Sequence, residues 1–331
     1  MTRRPEPVIC PVARRAVLLG AAATLLGAAA GCTSDTSPAP GRTGTTSTTP
    51  GAHPPLPRTT PWRPTSAEIE PAAKLRAVEL VEALGAWPDG RGGPDAAQAV
   101  LAAEHLPAAL APQAGPLRPS ADEAALQVVD AQYGGILTDS ASVLVVCRQW
   151  FRRGGTVRAG GTTVDVRLDR PAGTWTVTAL HPARPGPPAA THPAAVREAL
   201  TDSRIVLPPA AADDLRSGQV HDSVITAMRR LAGTYRMEVS VVRSGHPLDV
   251  FGTSRPSDHP RGRAFDVWRV DGHAVVDPRT PRSLVERFMR DAAAAGSYNV
   301  GGPLRPAGGV RPNQFFSDAT HHDHVHLGFR D

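Results

Sequence analysis

The sequence predicts an α+β protein of two domains, preceded by a segment that belongs to neither. Three observations carry this reading. The chain has 331 residues, more than one ordinary domain needs once a leading segment and linkers are set aside. A helical apolar pattern at Leu75, Val78, Leu80, Val81 and Leu84 is followed by runs rich in β-branched and aromatic residues. A stretch dominated by Pro and Ala, residues 183–193, then interrupts the pattern before a second set of elements begins.

The leading segment, residues 1–32, has arginines, an apolar run from Ala16 to Ala30, and small residues at its end. That is the layout of a secretory signal peptide, and the run is too short for a comfortable permanent membrane span. Its end, Leu26-Gly27-Ala28-Ala29-Ala30-Gly31-Cys32, resembles the lipobox of bacterial lipoproteins. The resemblance implies lipidation of Cys32 and an extracytoplasmic protein anchored to the cell membrane, facing the cell wall. Arg14-Arg15 also resembles a twin-arginine signal, so the export route stays open. Residues 33–65 are mostly Ser, Thr, Pro and Gly and are expected to form a flexible tether, because they bury too little apolar surface to offset the entropy of ordering.

Residues 66–182 are expected to form a helix followed by strands at Leu126–Tyr133, Ala141–Phe151, Gly155–Leu168 and Trp175–Leu180. Turn sequences such as Arg153-Gly154-Gly155 and Pro171-Ala172-Gly173 separate the later ones. The order resembles nuclear transport factor two-like or cystatin-like domains. Asp130, Asp139 and Asp165 lack any spacing logic and are expected to be solvated. The domain is therefore expected to pack or to bind an unidentified protein partner, with no catalytic role.

Charge and cysteine usage exclude two classes. The formal charge is +5, but residues 1–31 hold Arg3, Arg4, Arg14 and Arg15 against Glu6, so the remainder is close to neutral. Lys74 is the single lysine among many arginines, a compositional bias and not a basic footprint. No Lys/Arg run with interleaved aromatics appears, so nucleic-acid binding is not expected. Cys10, Cys32 and Cys147 cannot build an intrachain disulfide framework, and Cys147 lies in an apolar strand, where an inert core thiol is expected.

The chemistry concentrates in residues 194–331. A helix is expected over Val220–Thr234 and a strand over Met237–Arg243. The string Ser257-Asp258-His259-Pro260-Arg261-Gly262-Arg263-Ala264-Phe265-Asp266 sets His259 and Asp266 seven residues apart, with Gly262 permitting a tight turn between them. Near the C-terminus stands His321-His322-Asp323-His324-Val325-His326. In a strand, His324 and His326 project from one face, so both can enter one site. Catalytic Zn2+ favours three imidazole or carboxylate ligands with a fourth position open, and His259, Asp266 and His326 supply such a set.

The first string resembles the S-x-H-x-x-G-x-A-x-D pattern of D-alanyl-D-alanine carboxypeptidases and endolysin-type L-alanyl-D-glutamate peptidases. Asp323-His324-Val325-His326 resembles the closing motif of the wider hedgehog/DD-peptidase group, which also includes lysostaphin. The resemblance covers about a third of the chain and implies zinc bound by His259, Asp266 and His326. It also implies that Asp323, three residues before the last ligand, is the general base, with His324 a rival for that role. Lysostaphin-type members space the first His and Asp more closely, which favours the carboxypeptidase branch. Val325 stands where a tryptophan is usual. Arg243, before Ser244-Gly245, is similar to a region carrying a transition-state arginine, although order and spacing differ. His246, His273, His321 and His322 are not expected to be ligands. The implied function is a zinc metallopeptidase acting on peptidoglycan stem peptides; the alternative is a non-catalytic zinc-containing binding or scaffold lipoprotein of the cell wall.

Overall fold

A computed structural model of the chain describes residues 55–330, so the expected signal segment, Cys32 and most of the expected tether lie outside the described residues. The described part is mixed α+β and forms one compact unit containing two sheets and two apolar cores.

The first core is built from α1 (Pro71–Gly85), α2 (Pro94–Ala103), β1 (Glu123–Ile136), β2 (Ser140–Arg153), β3 (Thr156–Gly160), β4 (Thr163–Asp169) and β5 (Thr176–Pro182). Pro71 opens α1, where a missing N–H costs nothing. Its buried stripe of Ala77, Val78, Leu80, Val81 and Leu84 packs on the sheet. Burial of each large side chain there contributes roughly 1.5–3 kcal/mol. The sheet is antiparallel in the order β1-β2-β4-β5, with β3 paired to the far end of β2. The long strand expected over Gly155–Leu168 is thus two strands, parted after Gly160. The end of the expected tether is docked: Thr60 exchanges hydrogen bonds with the Gln127 side chain, and Trp62 packs against the first core. A large aromatic side chain recovers the entropy that its Ser/Thr/Pro neighbours cannot.

The expectation that Asp130, Asp139 and Asp165 are all solvated holds only for Asp139, which is exposed. Asp165 is buried and accepts hydrogen bonds from Ser142 Oγ at 2.6 Å and Arg167 Nε at 2.8 Å. Asp130 has a buried carboxylate oxygen without a hydrogen-bond partner, and burial pushes its pKa up to about 7. Cys147 is fully buried, and burial raises its thiol pKa, as suits an inert core residue.

The second core contains α3 (Ala194–Thr201), β6 (Ile205–Val206), α4 (Pro209–Arg216), α5 (Asp222–Ala232), β7 (Met237–Val241), β8 (Ala264–Val270), β9 (His273–Ala274), α6 (Arg282–Ala294), β10 (Asn299–Gly301), β11 (Phe315–Phe316) and β12 (Val325–Gly328). The mixed sheet runs β11-β10-β12-β8-β7-β6, with β9 on β8. Phe265 and Val267 of β8 and Val325 and Leu327 of β12 join α5 and α6 in this core. Strand alternation therefore puts Asp266 and His326 on the opposite face.

That opposite face meets the first sheet. Phe251, in the loop after β7, lies against β1, where a side chain at Gly135 would collide with its ring. The Arg167 guanidinium stacks over the same ring with its carbon 5.4 Å from the centroid. The Pro-rich stretch is likewise held, with Ala183 N–H donating to Thr163 at 2.7 Å and Ala189 N–H to Arg216 at 2.8 Å. The chain thus bridges the two cores there. No helix among the described residues is long and apolar enough to cross a membrane.

Candidate metal centre and its cleft

Asp266 in β8 and His326 in β12 are direct register partners, and His259 is delivered by the turn that leads into β8. Gly262 makes that turn, at φ +69°, and a Cβ there would stand 2.1 Å from the Gln219 carbonyl oxygen. Only glycine fits both the left-handed conformation and the close approach. His259 Nδ1 lies 2.7 Å from the Val242 carbonyl oxygen, which can only accept, so the ring keeps its Nε2 lone pair for the site.

Three ligand atoms converge. His259 Nε2 is 3.1 Å from Asp266 Oδ1 and 3.1 Å from His326 Nδ1, and His326 Nδ1 is 3.0 Å from Asp266 Oδ1. Two donors bonded to one tetrahedral zinc at about 2.0–2.1 Å lie about 3.3 Å apart, so this triangle fits such an ion. The electrostatics agree. Burial opposes the Asp266 carboxylate, but His259 and His324 hold its pKa well below the ordinary value. Burial lowers the His326 pKa to about 4, against the pull of Asp266, which leaves a neutral imidazole at neutral pH.

His246, set aside on sequence grounds, also belongs to the site. Its ring stacks on His259 at 4.1 Å, and His246, His259 and Asp266 each offer an atom within 4.8 Å of the others, a group that could hold a metal ion. The triangle completed by His326 is tighter, and we take it as the primary set, with His246 at its side. His246 Nδ1 lies 3.0 Å from the Pro247 carbonyl oxygen, which leaves Nε2 unprotonated. Burial holds the ring neutral.

Asp323 and His324 take different places. His324 Nδ1 donates to Asp323 Oδ1 at 2.6 Å, and His324 Nε2 stands 3.7 Å from Asp266 Oδ2. Asp323 Oδ2 accepts the Tyr133 N–H at 3.1 Å and pairs with Lys74 Nζ at 2.5 Å. Burial opposes its charge, yet Lys74 and His324 bring its pKa down to about 2. Asp323 is therefore a fixed anion behind His324, and the His324 Nε2 edge faces the ligands. Burial opposes the His324 cation, while Asp266 and Asp323 raise its pKa above the usual imidazole value.

Arg243, expected from the resemblance to act on the reacting group, points elsewhere. Its Nη2 donates to the Pro185 carbonyl at 2.6 Å, and its Nε is 3.7 Å from the buried Asp214. It is absent from the residues lining the cleft above the metal ligands. His322 contacts the Ala67 carbonyl, His273 is exposed, and His321, bonded to Asp318 at 2.7 Å, lines the cleft.

The cleft has a volume of about 600 Å³, and its floor includes His259, Asp266 and His326. One wall is the end of β1 from Tyr133 to Ile136, with Leu137 just beyond it; Phe251 and Phe316 add apolar surface. The first sheet also reaches the ligands directly through Gln132, whose Nε2 donates to Asp266 Oδ2 at 2.7 Å. Sequence reasoning missed Lys74 and Gln132. For Lys74 a signal existed: the only lysine falls four residues before Val78 and seven before Val81, on the apolar stripe of α1. Comparison with protein-family models, with curated proteins and with solved structures found no match.

Proposed function

We propose that the chain is a zinc-dependent peptidase acting on peptidoglycan stem peptides, of the D-alanyl-D-alanine carboxypeptidase-like group. The observation that carries this reading is the ligand triangle of His259, Asp266 and His326, at 3.0–3.1 Å separations, on the floor of an open cleft. The resemblance of Ser257–Asp266 and Asp323–His326 to that group supplies the substrate class.

Zinc, when bound, polarises a scissile carbonyl and acidifies water. The chain supplies the rest. His324 presents an Nε2 edge beside the ligands. With its charge offset by the bound ion, Asp266 pulls less on that ring and leaves Nε2 free to accept a proton, while Asp323 holds Nδ1–H and steadies the imidazolium that results. The cleft is walled by Phe251, Phe316 and the β1 backbone, which suits an extended peptide more than a bulky sugar. Anchoring through a lipidated Cys32 would hold the site outside the membrane, facing the cell wall.

A second reading, a zinc-containing binding or scaffold lipoprotein without turnover, draws on one observation: Asp323, the expected general base, is wholly engaged by Lys74, Tyr133 and His324. Zinc analysis of the purified protein, followed by digestion of purified peptidoglycan and a panel of stem peptides, decides between the two. Stoichiometric zinc with release of an amino acid or shortened peptide supports the peptidase. Stoichiometric zinc with no product from any substrate makes the binding module the better reading.

A further inference from the structure

Lys74 is the single lysine of the chain, which otherwise uses arginine throughout. Its side chain is 0% exposed, on the face of α1 that packs into the first core. The ammonium nevertheless meets two carboxylates, Glu68 and Asp323, and lies 4.9 Å from the centroid of the Tyr133 ring. A compact ammonium with three rotatable donors suits an enclosed space between two carboxylates and an aromatic face, whereas a guanidinium is a larger planar fork. Lysine therefore stands where the compositional preference for arginine fails on shape.

The pair Lys74–Asp323 joins α1 of the first core to the turn just before β12, and from Asp323 Oδ1 the chain of contacts continues to His324 Nδ1 at 2.6 Å. Gln132 makes a second link. Its Oε1 accepts from the Ser240 hydroxyl, which fixes the amide so that Nε2 donates to Asp266 Oδ2 at 2.7 Å. Both oxygens of Asp266 are then distinguished: Oδ2 is held by Gln132, and Oδ1 faces His259 and His326.

We infer that the first core is a working half of the metal centre: Lys74 of α1 fixes Asp323, and through it the His324 ring, while Gln132 of β1 holds the outer oxygen of Asp266. Lys74 and Gln132 are positioning residues, since neither touches the ligand triangle's open side. The inference rests on the metal-centre reading above and is independent of whether a peptide is cleaved. It also gives the first domain a role other than capture of a partner, because hydrogen bonds to ligating carboxylates and to neighbouring histidines set metal affinity and ring orientation.

The test uses the full chain and two readouts that need no turnover. Zinc affinity is measured by competition with a chromophoric chelator. Gln132→Leu is expected to bind zinc about 10–100-fold more weakly than the parent, and Lys74→Met to match the parent within about threefold. The His324 Nδ1–H resonance is followed in protein labelled with 15N-histidine and assigned by its loss in His324→Gln. It is expected to vanish or move in Lys74→Met as it does in Asp323→Asn, and to persist in Gln132→Leu. If Lys74→Met fails to fold, Lys74→Met/Glu68→Gln removes the cation together with one acid, and carries the same expectation. Gln132→Leu binding zinc as tightly as the parent, or an unmoved His324 resonance without Lys74, overturns the inference. A parent that takes up no zinc sinks the metal reading itself, and the His324 resonance, which needs no metal, still decides the Lys74 arm.

Discussion

Asp266 and His326 stand directly opposite each other on antiparallel β8 and β12, so two residues 60 apart in sequence place Asp266 Oδ1 and His326 Nδ1 3.0 Å apart. A register slip of one residue would turn one of them into the apolar core. The core residues that flank each, Phe265 and Val267, Val325 and Leu327, therefore hold the site in place.

Substitution of His259, Asp266 or His326 by alanine is expected to remove zinc along with any activity. Each supplies one of three close ligand atoms, and loss of one costs much of the affinity. Metal analysis after gel filtration against a mild chelator checks this. Near-stoichiometric zinc in all three variants would place the ion elsewhere, with His246 the first alternative.

Asp323→Asn and His324→Ala are expected to keep zinc and to lower the rate by about 100-fold, the scale of a lost general base. Because Asp323 acts through His324, the double variant should be no slower than His324→Ala alone. Steady-state rates on a cleaved stem peptide check it, and a double variant slower by the product of both losses would show that Asp323 acts on its own.

Arg243→Ala is expected to leave kcat within about threefold and to destabilise the protein by about 1–3 kcal/mol. The guanidinium bonds to Pro185 and lies near Asp214, which would remain buried with a charge partner removed. Paired measurements of Tm and kcat separate the outcomes. An unchanged Tm with a rate loss above 100-fold would restore the transition-state role.

Much of the fold was legible. Period-two and period-3.6 patterns located α1, β1, β2, β5, α5 and β7, and the His259–Asp266 spacing with the final His-x-His singled out residues that the fold brings within 3.1 Å of one another, because each signal is carried by residues local in sequence. What lay hidden was contact between the sheets. Alternation along β1 says that Gln132 and Tyr133 face opposite ways, but not that the second sheet covers the Gln132 side. The string around Arg243 likewise shows an arginine just beyond β7, while its direction is set by the distant Pro185 carbonyl and Asp214.

Asp130 makes the stability of the fold depend on pH. Its folded pKa is raised to about 7 from 3.8, mainly by burial. A raised acid contributes fully below the unfolded value and loses that contribution as pH rises through the folded one. The parent should therefore weaken between about pH 4 and pH 7, and Asp130→Asn should weaken less. At pH 8 the variant is expected to be more stable by about 1–3 kcal/mol, the scale of an uncompensated buried polar group, with the gap closing near pH 4. Denaturant midpoints across that range check the sign, and a constant gap would remove Asp130 as its source.

Gly262 offers the sharpest test that backbone shape, and not only ligand identity, makes the metal site. Its φ of +69° is unfavourable for any residue with a Cβ, and that atom would also press to 2.1 Å from the Gln219 carbonyl oxygen. Gly262→Ala must relieve the contact by moving either the 219–220 backbone or the turn that carries His259. His221 N–H donates to the Gly262 carbonyl at 2.9 Å, and Gly262 N–H to the His259 carbonyl at 2.8 Å, so the strain passes directly to the ligand. The conformational cost alone is about 1–3 kcal/mol. Zinc affinity is expected to fall at least 10-fold, although every ligand is still present, as displacement of His259 opens the triangle. Chelator competition on the Gly262→Ala protein checks this against Gly272→Ala, where φ is also positive, at +81°, but nothing lies within 4 Å of an added Cβ. Equal zinc affinity in the two variants would mean that the turn yields without moving His259.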